Sequence, residues 1–356
     1  MNDQLAQEIV TKDHRETEFR RELRRAVRVM IEARWPVLAL VILLATAIAA
    51  AFGPALAPFD PNRQNLILRL ADPMSSGPDG SVFWLGSDVL GRDVLTRLLY
   101  GARVSLLVGI AAIAVGGTIG IVAGLLSGYF GGWVDDVIMR LGDIQLAFPF
   151  ILLAIMFLVV LGSGIWNLIL VLGVGQWVTY ARIVRADTLS LREKEFVEAA
   201  RALGDSTTSI IFRTILPNIL APLTVIASFN VASVILSEAA LSFLGLGVPP
   251  SVPTWGSMLA ESRDTLVANK WWLAVFPGVA IVLTVLSFNI LGDWLRDFLD
   301  PRLRERTRGG VHEGGAHRGE FRTSRVFASA LPRHRGRCCR FGLRAEGACS
   351  ERSLGV

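Results

Sequence analysis

An all-α protein crossing a membrane six times is the fold class this sequence predicts, on three observations. Hydrophobic residues make up 52% of the 356 and charged residues only 19%. The uncharged residues come in long blocks: Trp35–Phe59, Val104–Val134 and Ile144–Ala181, with Thr214–Ser237 and Trp271–Gly292 similar. A helix needs about 20 apolar residues to cross the hydrocarbon core, so each block holds at least one span. The blocks also lack the polar face that a core helix of a soluble protein turns to water.

The first span is read at 36–56, behind a segment 1–35 that carries Lys12, Arg15, Arg20, Arg21, Arg24, Arg25, Arg28 and Arg34. That basic stretch is too long for a signal peptide and no small-residue cleavage site follows, so the span is expected to stay as an anchor. The second span is read at 104–128 and the third at 137–161. The block from Ile144 to Ala181 is too long for one helix, and Gly162–Ser163–Gly164 divides it, placing the fourth span at 165–187. The fifth and sixth follow at 218–241 and 271–293. Between spans four and five lie Arg182, Arg185, Arg192, Lys194, Arg201 and Arg213. An even number of spans puts this loop and both termini on one side. Positive residues in short loops mark that side as the cytoplasm, leaving 57–103 and 242–270 outside.

The net charge of +5 does not point to nucleic acid. From Glu305 onward eleven Arg stand against five Glu, and the residues before it carry 25 basic and 26 acidic side chains. All three cysteines (Cys338, Cys339, Cys349) lie in that tail, so the transmembrane body has no disulfide and no thiolate metal site. The tail has no helical or strand period and reads as a disordered extension, with arginines suited to anionic lipid. Out-of-frame translation near Arg304 would give the same texture. A metal site from His334, Cys338 and Cys339 lacks a second ligand pair at suitable spacing.

Missing chemistry narrows the function. The only lysines are Lys12, Lys194 and Lys270, and none follows a glycine, so no P-loop for ATP is present. Outside the tail the only histidine is His14, which excludes a histidine triad or a zinc-binding HExxH pair. Charge within the spans is sparse. Asp143 and Arg140 sit three apart and could pair on one helix face, whereas Glu238 could line a path or cap the outer end of its span. A secondary transporter coupled to protons or sodium usually needs more buried acids or paired broken helices than this. Trp255 and Trp271–Trp272 read as interfacial anchors.

The stretch "EFVEAARALGDSTTSIIFRTILPNIL" (Glu195–Leu220) is unusual for a membrane loop. Phe196, Ala199, Ala200 and Leu203 fall at helical spacing, with Glu195, Glu198 and Arg201 on the other side. Gly204 suits the left-handed turn that ends such a helix, and Asp205 or Ser206 can cap a second one reaching about Ile215. Pro217 ends that piece and opens the fifth span. A small amphipathic helix of this kind fits a partner's groove or lies at the lipid interface.

Glu198-Ala199-Ala200, Gly204 and Leu216-Pro217 resemble, in type and spacing, the EAA loop of ABC-importer permease subunits, with Thr214 where that family often has isoleucine. "LGSDVLGRDVLTRLLYGARVSLLVG" (Leu85–Gly109), "SEAALSFLGLGVPPSVPTWGSML" (Ser237–Leu259) and "GDWLRDFLDPRLR" (Gly292–Arg304) resemble the dipeptide, oligopeptide and nickel branch of that family. The resemblance covers about 30–304. It implies a type I importer fold with a five-helix permease core at 104–296, a coupling loop at 189–217 and a tail at 297–356, disordered from 305. It further implies a bacterial inner-membrane subunit, forming half a pore with a second homologous permease. Two cytoplasmic P-loop ATPases would bind ATP and Mg, and an external solute-binding protein would deliver a peptide or small solute. This chain would bind no cofactor or metal and catalyse nothing itself. Glu198, Ala199, Ala200, Arg201, Gly204, Leu216 and Pro217 would form the coupling loop. Asp88, Arg92 and Asp93 could meet the binding protein, or Val94, Leu95, Leu98 and Leu99 could form an interfacial helix leading into span two. Di- or oligopeptides are the expected substrates. A nickel or other small-solute importer is the alternative within the family, and an ATPase-independent secondary transporter the alternative outside it.

Overall fold

The computed structural model describes residues 34–77, 80–265 and 268–299; segment 1–33 and the tail, with its cysteines, fall outside the described residues. Helix α1 (Trp35–Leu56) opens on Pro36, whose missing amide costs nothing in a first turn. Its face of Leu38, Val41, Leu44, Ile48 and Phe52 is more than half exposed, which suits lipid contact. The chain then builds a small cap: a turn at Leu66–Leu68 and an antiparallel hairpin of β1 (Ser75–Ser76) and β2 (Val82–Phe83). At Gly91 the φ is +73°, and a Cβ there would overlap the Asn65 backbone.

Asp93 caps the N-terminus of α2 (Val94–Phe130), its Oδ2 accepting the Thr96 amide at 2.7 Å. At 37 residues α2 is roughly 55 Å long, well beyond the hydrocarbon thickness. The sequence places an interfacial helix before a span starting at 104. Instead these are one helix, and its first turns are buried: Val94 is 0% exposed and packs with Met258, Trp272 and Leu273.

The third span also differs from expectation. It is two helices, α3 (Gly132–Leu146) and α4 (Phe150–Leu161), bent by 89°. Pro149 has no amide to bond back and disfavours helical backbone at Phe148, so the apolar run cannot continue straight. Gln145 pins the break, donating to the Gly175 carbonyl at 3.1 Å and accepting from Trp177 Nε1 at 2.6 Å. The turn at Gly162–Gly164 lies where the sequence puts it, with Gly162 at φ +84°.

Helix α5 (Ile165–Leu191) runs along α2 in the most extensive helix pairing of the chain. Gly116, Gly120, Gly124 and Gly128 recur every fourth residue on the shared face. A Cβ at Gly116 would overlap the Gly173 carbonyl oxygen, and one at Gly120 that of Trp177. Without a hydrophobic force between helices in lipid, such close backbone approach is what holds them. Gly120→Val should therefore separate α2 from α5 at a cost of about 1–3 kcal/mol or more. The expected result is loss of the chain from the membrane fraction by immunoblot, whereas Ile119→Val, on the exposed face, leaves it unchanged.

The chain continues through α6 (Glu195–Ala202), α7 (Thr207–Ser209), a wider turn at Ile210–Ile215, α8 (Leu216–Phe243), α9 (Trp255–Ser262) and α10 (Trp272–Leu299). Thr254 and Ser257 form a reciprocal cap on α9. Trp255 and Trp272 are each 2% exposed and are core residues rather than interfacial anchors; only Trp271 is half exposed. Their indole nitrogens donate inward, Trp255 to the Leu98 carbonyl at 3.1 Å and Trp272 to that of Ser87 at 3.4 Å. Among the described residues, five helices are long and apolar enough to span a membrane, and the bent pair α3–α4 taken together makes six. The all-α class stands.

Candidate functional site

Helix α6 has only eight residues, too few to hold itself in water, so its ends and one face must be supported. At its C-terminus Gly204 adopts φ +85°. The Gly204 amide donates to the Arg201 carbonyl and the Asp205 amide to that of Ala200, both at 3.1 Å. This pair of bonds is a Schellman turn, which satisfies carbonyls the helix would otherwise leave open. Ser206 then caps α7, its Oγ accepting the Ser209 amide at 3.3 Å.

The apolar residues of α6 divide between two faces. Val197 is fully buried and, with Ala200, packs into one cluster with Ile210, Ile211 and Ile215. Phe196 is 45% exposed and Leu203 87%, with Ala199 and the charged Glu195, Glu198 and Arg201 also turned outward. The helix is thus fixed by an inner apolar edge and offers a second one to a partner. Pro217 does not separate a short helix from a span: Thr207–Phe243 runs on as one helical stretch.

Upstream, the loop is tied to the corner between α2 and α3. Arg185 meets both oxygens of Asp135 at 2.5 Å, Asp135 also accepts from Ser127 Oγ, and Arg192 Nη1 donates to the Gly128 carbonyl at 3.1 Å. Sequence reasoning misses these ties, because no local spacing signals a pair such as Asp135 and Arg185, 50 residues apart.

The other candidates fall elsewhere. Asp143 pairs across to Arg182 at 2.7 Å rather than to Arg140, with both side chains about half exposed. Glu238 is 0% exposed and accepts hydrogen bonds from Ser242 Oγ at 2.8 Å and Ser105 Oγ at 3.1 Å, so it lines no open path within this chain. Asp88, Arg92 and Asp93 are 3%, 4% and 2% exposed and present no charge to an external partner. Arg92 bonds Asp88 at 2.6 Å and Glu261 at 2.7 Å; Arg97 reaches Asp88 at 3.2 Å and Glu261 at 2.9 Å. These four residues join the segment before α2, α2 itself and α9. Beside them, burial pushes the Asp93 carboxyl above its ordinary pKa, and the Thr96 amide pulls it back. Among the described residues no group of three or more His, Cys, Asp or Glu could hold a metal ion.

With this geometry in place, the relatives are informative. Residues 120–305 match the family described as binding-protein-dependent transport system inner membrane component, and residues 22–73 match the N-terminal TM domain of oligopeptide transport permease C. A glutathione transport system permease protein of Pectobacterium atrosepticum is 46% identical over 233 residues, 65% of this chain and 77% of that one. A di/tripeptide transport system permease protein of Pseudomonas aeruginosa is 41% identical over 265 residues, 74% of this chain and 87% of that one. Among solved structures, the MetNI methionine ABC transporter in inward-facing conformations aligns with a TM-score of 0.46 at 21% identity, over 57% of this chain and 96% of that chain. The family match spans more than half of the sequence, and this chain belongs to the binding-protein-dependent transport system inner membrane components.

Proposed function

We propose that the chain forms half of the translocation pore of an ATP-driven importer of di- or oligopeptides, with glutathione-like tripeptides among them. A second homologous permease completes the pore, an external solute-binding protein delivers the substrate, and α6 with its Gly204 turn docks on a cytoplasmic P-loop ATPase. ATP is bound with Mg and hydrolysed in two such ATPase chains, not in this one. Both termini and the α5–α8 loop face the cytoplasm. The substrates for which those relatives are named support the peptide class.

One observation carries the docking: Phe196 and Leu203 stand exposed on a short helix whose opposite edge, Val197, is fully buried. A helix laid into a partner's groove is anchored through apolar side chains at such spacing. Purifying the tagged chain from native membranes in mild detergent is expected to bring a second permease and P-loop ATPases. Phe196→Asp with Leu203→Asp should keep the permease partner and lose the ATPases by about tenfold or more, since two buried anchors of an interface are replaced by charge. Full retention of the ATPases by that variant would remove α6 from the contact.

A further inference from the structure

Beyond the docking helix, the helical stretch leading into α8 has an irregularity the transport assignment does not absorb. Over Ile210–Ile215 the winding is wider than in an α-helix, and the Leu216 amide donates to the Ile211 carbonyl, five residues back. Pro217 follows and has no amide to donate, and Pro222 interrupts the ladder again one turn later. The Asn218 side chain occupies the Thr214 carbonyl at 2.7 Å. Wide turns of this kind are rare inside helices and cluster at functional sites. Among the helices described, this run is the one that combines a widened turn with two prolines.

Its position gives it a mechanical setting. The inner edge of α6, Val197 and Ala200, packs in one cluster with Ile210, Ile211 and Ile215 of the wide turn. On the other side, α5 is held to the α2–α3 corner by Arg185–Asp135 and Arg192–Gly128. A displacement imposed on α6 therefore meets a clamped element upstream and a loosely bonded one downstream. Apolar packing transmits the push, and the missing backbone bonds let the downstream helix turn without breaking.

We propose that the wide turn Ile210–Ile215 is the joint through which movement of α6 reorients α8. This rests on α6 being the ATPase contact. The turn is widened by one residue, so removing one residue closes it. Deleting Arg213, which is exposed, leaves Ile210, Ile211, Ile215 and Ile219 at positions i, i+1, i+4 and i+8, still one apolar face of an α-helix. The span keeps its rotation and loses the joint.

The test uses the complex purified through this chain and reconstituted in liposomes. Its readout is how far the substrate-loaded external binding protein, purified from the same cells, raises ATP hydrolysis. That signal must cross the permease from outside to inside. The Arg213 deletion is expected to keep basal hydrolysis and co-purified ATPases while the stimulation falls about tenfold, within the range of coupling between distant sites. Stimulation equal to that of the unaltered complex would overturn the joint. If the deleted chain does not accumulate, Pro217→Ala decides: it restores an amide to the ladder, and the stimulation is expected to fall several-fold at normal abundance. An unchanged response there overturns the proposal. Absence of ATPases from the unaltered preparation would instead overturn the docking on which the joint depends.

Discussion

Replacing Gly204 by valine is expected to cut ATP-linked uptake by about an order of magnitude while the chain's abundance in the membrane stays within about a factor of two. The reason is local. Gly204 sits at φ +85°, and a Cβ built there meets nothing within 4 Å. Valine would therefore suffer no clash with neighbours, only backbone strain of about 1–2 kcal/mol or more for a β-branched residue in this region. Relieving that strain opens the two Schellman bonds to Arg201 and Ala200. An eight-residue helix has little to spare, and about 1.4 kcal/mol reduces its ordered fraction tenfold. The spans are untouched, because Gly204 supports none of their packing. Gly204→Asn, which tolerates left-handed backbone, should restore most of the activity. Uptake by membrane vesicles, normalised to immunoblot, measures both. Normal uptake by the valine variant would separate the loop from the mechanism.

The second large effect lies in the charge cluster at the start of α2. Arg97→Leu should destabilise the chain by about 3–5 kcal/mol, because it removes one member of a buried charge cluster and leaves its partners. Arg97 is 1% exposed and bonds Asp88 and Glu261. Without it, Asp88 and Glu261 face the single guanidinium of Arg92. The expected readout is faster thermal inactivation in detergent, with little folded chain recovered. The double change Arg97→Leu with Glu261→Leu should recover part of the loss, since it removes an acceptor together with its donor. Purely additive losses would mean the cluster is not a unit. The "GSDVLGRDVLTRLLYGAR" segment thus has a structural role, clamping α9 against the start of α2.

What the sequence shows and what it conceals follow from the range of the interactions. The apolar blocks, the Gly162–Gly164 turn and the Gly204 turn are set by neighbouring residues, and they are legible. The helix at Glu195 is legible too, but its orientation is not. Phe196, Ala199, Ala200 and Leu203 share one spacing, yet Ala200 leans inward with Val197 while Phe196 and Leu203 stand outward. A helix with an internal support and an external partner has two apolar edges, and periodicity alone does not rank them. The break at Pro149 is written in the sequence but hidden inside an unbroken apolar run. Trp255 and Trp272 look like interfacial residues by type, and only the fold that closes over them makes them core. The charge cluster joins Arg97 to Glu261, 164 residues away, so no local pattern announces it.

Coupling in this chain turns on α6 being the element an ATPase grips. A photoreactive amino acid placed at Leu203 in the full-length chain, irradiated in native membranes, tests that contact without purification. The expected product is a single covalent adduct with a P-loop ATPase, identified by mass spectrometry and weakened when Phe196 is replaced by Asp. Adducts confined to lipid or to the chain itself would show that the exposed edge of α6 rests on the membrane surface, and the coupling assignment would be wrong.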